Sequence, residues 1–302
     1  GDGFKYVFNR TDGQLTSMVV QDMELLESPL RLNLWRAPLA NELDNWNASS
    51  ARSSNWKEGY EYTVATEMYS AGIDRLTHQP LSFSVSETTE GVHIHIIDAE
   101  LMGKGEKEKK DLYIEGVQNN GIINHYEYII NSEGTIEIRH VLKPEGKMPL
   151  WFPRIGLTLT VSDALDQVKW YGRGPQENYP DRKTGYPTGI YASTVQAMYE
   201  PYLMPQDYGL RTDVRWLQLT TDKGIGLQFK MNEWFNFNIY PYSTDNLTKA
   251  MYTYQLQKQK GMTLNLDYAT TGVGCTARGV FGAYKAMPQE YRRTISIRPM
   301  MK

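Results

Sequence analysis

The chain has 302 residues, a formal net charge of -3, 40% hydrophobic residues and 12% aromatic residues. A chain of this length buries roughly three quarters of its unfolded surface, so its core needs neither disulfides nor a structural metal, and its acidic balance argues against a nucleic-acid partner. A single cysteine, Cys275, excludes an internal disulfide framework, and no apolar run approaches the ~18 residues of a membrane helix.

Period-2 alternation begins almost at once. Phe4, Tyr6 and Phe8 alternate with Lys5 and Val7, and Asn9 to Gly13 reads as a turn that opens a hairpin. No basic-then-apolar leader precedes this strand, and a chain opening on Gly1-Asp2-Gly3 leaves the compartment open. Asp44 to Tyr60 has room for a short helix, but its four serines favour a loop. Gly91 to Ile97 alternates again, with His93 and His95 on one face. An alternating His pair can ligate a metal, but with no third ligand evident the pattern predicts a solvated face and no metal. The charged run Gly103 to Asp111 reads as a solvated hairpin tip.

His125 to Ile130 and Thr135 to Leu142 flank Asn131-Ser132-Glu133-Gly134 as a second hairpin, and Gly156 to Val161 alternates cleanly. Tyr171 to Arg215 carries few strand signals and many Gly, Pro, Asn and Tyr, the composition of a long ordered loop with a job. Beyond it, Gly226 to Met231, Phe235 to Tyr240, Met262 to Tyr268 and Arg293 to Arg298 read as strands. Thr244 to Gln257 has a helical rhythm, with Ser243 or Thr244 as its cap. Without βαβ alternation, the chain encodes no (β/α)8 barrel. The fold class is all-β and antiparallel, in one domain spanning residues 1–302.

Two segments carry the functional signal: Leu34-Trp35-Arg36-Ala37-Pro38-Leu39-Ala40-Asn41-Glu42, and Trp170-Tyr171-Gly172-Arg173-Gly174-Pro175-Gln176-Glu177-Asn178-Tyr179-Pro180-Asp181-Arg182. In the second, two glycines and a proline shape a tight turn, and Gln176, Glu177 and Asn178 then supply two amides and a carboxylate beside the Tyr179 ring. Planar polar groups beside aromatic faces hold sugars. The same groups also satisfy buried loop backbone, which is the commoner use of such residues.

Gly174 to Arg182 resembles the signature of the small-chain domain of glycoside hydrolase family 2 β-galactosidases. Trp35-Arg36-Ala37-Pro38 with Asn41 resembles that domain's Arg-Ala-Pro motif. Phe8-Asn9-Arg10, Arg154 to Leu157, Tyr199 to Tyr202 and Gly209 to Thr212 follow the same order, so the resemblance spans nearly the whole chain. It implies an antiparallel super-sandwich similar to galactose mutarotase, forming the C-terminal part of a bacterial enzyme that hydrolyses β-galactosides with retention. That chemistry needs two carboxylates ~5–5.5 Å apart, and the family keeps both in a barrel that this chain lacks. The resemblance therefore implies no catalytic residue here, no cofactor and no metal. It implies a parent catalytic domain as partner, a galactoside or related sugar at the shared rim, and oligomer contacts made through the parent, with no role for nucleic acid or membrane.

The residues expected to line a polar groove are Arg36, Asn41, Glu177, Asn178, Asp181, Arg182 and Arg211. One departure stands out: Gly272 to Gly279 lacks the Trp and the acidic residues that follow this turn in known members, leaving Phe281 or Tyr284 as substitute stacking rings. Two rival readings stay open. A free-standing aldose epimerase-like enzyme would pair one of His93, His95, His125 or His140 with a Glu, and nothing in the spacing selects the pair. A free carbohydrate-binding module would use the aromatic content directly. Cys275 reads as a structural thiol, Trp35, Trp46, Trp56 and Trp234 as core in preference to stacking platforms, and Asp267 as a strand-end residue facing either a groove or a turn.

Overall fold

The computed structural model describes residues 1–43, 65, 68, 71–103, 120–275 and 279–301. Trp46, Trp56, the serine-rich segment and the charged run after Gly103 lie outside the described residues.

The first hairpin forms as its alternation predicts. Strands β1 (Phe4–Asn9) and β2 (Gln14–Val20) pair antiparallel, and a two-residue β3 (Met23–Glu24) completes a small sheet. Its turn is made by side chains: Asn9 Oδ1 accepts from Thr11 N at 2.9 Å and Asp12 Oδ1 from Gln14 N at 3.0 Å. Gly13 closes it with a φ of 71°, where a side chain would be strained.

The larger sheet takes β4 (Leu26–Asn33), β5 (Thr77–Thr88), β6 (Gly91–Leu101), β7 (Gly121–Ile130), β8 (Ile136–Glu145) and β9 (Arg154–Val161) from the first half of the chain. The second half supplies β10 (Gln167–Arg173), β11 (Thr188–Thr194), β12 (Arg211–Thr220), β13 (Gly226–Tyr240), β14 (Met262–Thr270) and β15 (Tyr291–Met300). The main path runs β11-β10-β12-β13-β15-β8-β7-β6-β5, every pairing antiparallel.

Strand β13 is the branch point. Its first half, Gly226 to Met231, pairs with β15, while Asn236 to Tyr240 pairs with β14, which continues to β9 and β4. The two runs expected as separate strands are thus one strand that changes partner. Between them Asn232, Glu233 and Trp234 face outward, and the sheet splits there into two layers. The layers bury one continuous core in which Leu157, Leu264, Leu266, Phe229, Phe237, Ile295 and Ile297 have no exposed surface. Each such side chain contributes roughly 1.5–3 kcal/mol relative to exposure.

Two expectations are corrected. The segment from Tyr171 to Arg215 is not one long loop: it holds β11, an edge strand whose alternate residues face solvent. The helix expected over Thr244 to Gln257 is a single turn and a half, α2 (Thr244–Lys249), following a short α1 (Ala40–Leu43). Ser243 caps α2 as expected, accepting from Asn246 N at 3.0 Å. The helix stops because the Gln255 and Asn246 side chains take over the backbone donors that follow it. Gln255 Oε1 accepts from Met251 N and Tyr252 N, and Asn246 Oδ1 from Gln257 N.

Candidate functional site

The two sequence motifs meet in space, and they meet by binding backbone. Arg36 is fully buried: Nη1 donates to Thr271 O at 2.7 Å, and Nη2 to Gly272 O at 3.1 Å and Glu42 Oε1 at 2.7 Å. Asn41 Nδ2 donates to Val273 O at 3.1 Å. From the other side Asp181 accepts from Val273 N at 3.0 Å and Gly274 N at 2.7 Å. Three predicted residues thus clamp the Gly-rich turn that departs from the family pattern. Gly272 is required by this approach, since a Cβ there would lie 2.3 Å from the Asp181 carboxyl carbon.

The remaining four hold the segment before β12. Glu177 Oε2 accepts from Gly209 N at 2.9 Å, while Oε1 accepts from Arg182 Nη2 at 2.7 Å and from the Tyr202 hydroxyl. Asn178 Oδ1 accepts from Thr212 N at 3.1 Å and from the Thr212 hydroxyl. Arg211 Nε donates to Pro175 O at 2.9 Å and its Nη1 to Gly209 O at 2.9 Å. Burial with carbonyl partners in place of a contacting carboxylate lowers the Arg211 pKa to about 10. Arg182 lies over the Tyr179 ring at 5.3 Å, and its side chain is 43% exposed. Glu177, Asn178, Arg36 and Arg211 are buried, whereas Asn41, Asp181 and Arg182 reach the surface.

Beneath this brace lies a polar layer that the sequence did not announce. Arg154 on β9 is fully buried, with Nη2 3.1 Å from Asp207 Oδ2 and Nε 3.6 Å from Asp267 Oδ2. Asn238 Nδ2 donates to Asp207 Oδ1, and Asn265 Nδ2 to Asn238 Oδ1. Burial outweighs the nearby arginine and raises the Asp267 carboxyl to about 6. Asp267 is fully buried and so faces no groove, and its Oδ2 accepts from the Thr270 hydroxyl three residues on at 3.0 Å.

Two clefts open at the β13 branch. The first, about 630 Å³, is lined by Pro180 and Lys183 from the signature loop, Asp213, Trp234, Asn236, Thr270, Tyr284 and Lys285. Lys183 Nζ and Arg173 Nε donate to Asp213 at 2.5 and 2.6 Å. Burial would raise that carboxyl, but these two hydrogen bonds hold it below its usual range. Trp234 is 59% exposed, with the Arg215 guanidinium 4.3 Å from its ring centre. The expectation of a core position fails for Trp234, because it stands where β13 is between partners; Trp35 is buried as expected. Tyr284, one of the two substitute rings, lines this cleft, and Phe281 is exposed outside its lining. The break in alternation at Asn232-Glu233-Trp234 is the signal that could have pointed to this wall.

The second cleft, about 620 Å³, takes in Ser82, Ser84, His95, His125 and Glu127. Of the four candidate histidines, His140 is fully enclosed. Its Nδ1 lies 2.7 Å from the Tyr268 hydroxyl and its Nε2 3.0 Å from Asn124 Oδ1, and burial lowers its pKa to about 3. Cys275, expected as a structural thiol, is exposed. Among the described residues no helix is long and apolar enough to cross a membrane.

Comparison with known proteins bears on the motifs directly. A family model described as the β-galactosidase small chain matches residues 1–297. A β-galactosidase of Priestia megaterium is 31% identical over 274 residues, and one of Vibrio cholerae 30% identical over 271 residues. These matches cover 91% and 89% of the chain but only 23% of each relative, so the chain spans about a quarter of their length. Among solved structures, an aldose epimerase homologue from C. elegans covers 98% of the chain at a TM-score of 0.47 and 10% identity, with 95% of its own length covered. The galactose 1-epimerase of Lactobacillus acidophilus has the same TM-score at 8% identity, covering 98% of the chain and 91% of itself. Nothing about this chain's chemistry follows from those two.

Proposed function

For a chain that belongs to the β-galactosidase small-chain family, we propose the role of a noncatalytic C-terminal domain in a larger β-galactosidase, where it packs against the catalytic barrel, shapes the rim of the sugar site and supports assembly. The observation that carries this reading is coverage: residues 1–297 match the family model, and the matched relatives are about four times as long as this chain. The chemistry of the brace supports it. A retaining glycosidase needs a carboxylic acid and a carboxylate free to act on the sugar. Both oxygens of Glu177 and both of Asp181 are occupied by protein donors. Their evident task is to fix the turn at Gly272 to Gly274 and the loop before β12.

The first cleft is the surface on which a sugar would rest if the domain completes a galactoside site. It joins the signature loop to Trp234 and Tyr284, an exposed ring and polar groups of the kind that hold sugars. The epimerase alternative loses one candidate base, since His140 is buried and held neutral.

The test is hydrolysis of a chromogenic β-galactoside, anomer interconversion by polarimetry and galactose titration by calorimetry, all on the purified chain. The proposal expects no hydrolysis and no interconversion. Turnover in either assay that disappears on substituting a residue of this chain would overturn it. Tight galactose binding abolished by Trp234→Ala would instead make the chain a free-standing binding module.

A further inference from the structure

On β6 the residues from His93 to Ile96 alternate between an apolar inner side and a polar outer side. Ile94 and Ile96 of β6 point into the core, and His93 and His95 point the other way. The strand register places Glu127 of β7 directly opposite His95. His93 Nδ1 lies 3.5 Å from Glu127 Oε1, and ligand atoms of His93, His95 and Glu127 all fall within 4.8 Å of one another. A charge-assisted hydrogen bond would bring Nδ1 and Oε1 to ~2.7–2.9 Å. Two ligands of one tetrahedral zinc, with bonds of ~2.0–2.2 Å, stand about 3.4 Å apart by geometry. The His93–Glu127 separation is close to the second value, while the pairs with His95 are held to within 4.8 Å.

The surroundings fit a ligand shell. Glu127 Oε2 accepts from Arg139 Nη1 at 3.2 Å, which orients the carboxylate and leaves Oε1 toward His93. His93 Nε2 is shielded from solvent and has no hydrogen-bond partner among the described residues, while Glu90 Oε2 stands 3.9 Å away. A metal on Nδ1 would fix the proton on Nε2, and the exposed Glu90 side chain would have to close by about 1 Å to accept it, giving the carboxylate–histidine–metal relation that holds ligating imidazoles in place. The second cleft borders the group and leaves room for a water or anion at a fourth position. A comparable cluster of His78, Asp98 and Glu100 fails the same test. Its ring is already used on both sides, Nδ1 with Glu100 at 2.8 Å and Nε2 with the Asp12 carbonyl at 2.7 Å.

We propose that His93, His95 and Glu127 form a site for one divalent transition ion, with Glu90 and Arg139 as positioning residues. Two imidazoles and one carboxylate select zinc over magnesium or calcium, which prefer all-oxygen shells. The site is independent of the brace and of the first cleft.

The test uses the chain without an affinity tag, stripped with chelator. Zinc chloride is titrated by calorimetry and cobalt(II) by visible absorption. One equivalent of each should bind, with the intense bands of four-coordinate cobalt. His93→Gln and His95→Gln should each weaken binding tenfold or more, and His78→Gln should leave it unchanged. Melting curves in chelator separate folding from ligation, and the exposed His95 gives a second variant should His93→Gln unfold. Absence of stoichiometric binding, or binding undiminished in both variants, would overturn the site.

Discussion

Glu177 shows how much the signature loop contributes to folding. Glu177→Ala removes three accepted hydrogen bonds at once. The Gly209 N–H is buried and would lose its acceptor, at a cost of about 1–3 kcal/mol. The half-buried Tyr202 hydroxyl adds about 1 kcal/mol. The ion pair to Arg182 adds little, because that side chain is 43% exposed and exposed pairs contribute ~0–1 kcal/mol. The sum is about 3 kcal/mol. Arg182→Ala removes that ion pair and the contact over the Tyr179 ring, and should cost about 1 kcal/mol. At roughly 2 °C per kcal/mol for a chain of this size, Glu177→Ala should lower Tm by about 6 °C and Arg182→Ala by about 2 °C. Urea midpoints at unchanged m should rank the variants in the same order. Glu177→Gln keeps an acceptor for Gly209 N and should recover more than half of the loss. Equal shifts for Glu177→Ala and Arg182→Ala would refute the claim that the buried backbone contact dominates.

Three further outcomes follow from the geometry. His140 is neutral in the fold, with its pKa lowered to about 3 by burial, so the unfolded chain takes up the proton first as pH falls below about 6.5. Its stabilisation is present above that pH and is lost on the way down, by up to about 1.4 kcal/mol per pH unit, and His140→Gln should flatten the urea midpoint between pH 6.5 and 5. His78 runs the other way: the hydrogen bond to Glu100 raises its pKa to about 9 against partial burial, so the charged ring supports the fold below about pH 6.5 and the support fades as pH rises through 9. The stability gap between wild type and His78→Gln should therefore close in alkaline buffer. Asp181→Ala frees Val273 N and Gly274 N, and limited proteolysis should then cut near residues 273–275 faster than in wild type, while equal rates would count against the clamp.

What the sequence made legible was local. The hairpin at Asn131 to Gly134 could be read because its turn chemistry is contiguous: Asn131 Oδ1 accepts from Glu133 N and Thr135 N, and Gly134 takes a φ of 78°. The Ser243 cap was legible for the same reason. Strand β11 was not, because an edge strand with one solvated face needs no strong hydrophobic rhythm and sits among turn-forming residues. The single strand β13 looks like two in the sequence because its side chains turn outward where it changes partner. The motifs named the residues that meet, but their bonds join positions far apart in the chain, such as Arg36 to Thr271. Spacing alone could not say that they grip backbone. Glu127 was invisible as a companion to His93 and His95 because only the β6–β7 register sets it beside them.

The central claim is that this chain completes a larger enzyme. The most direct measurement mixes the purified chain with a β-galactosidase of this family truncated to remove its matching segment, and follows chromogenic galactoside hydrolysis against the molar ratio. The account predicts weak activity from the truncated protein, none from the chain, and a rise that saturates near one equivalent. A truncated protein already fully active and indifferent to the added chain would contradict it.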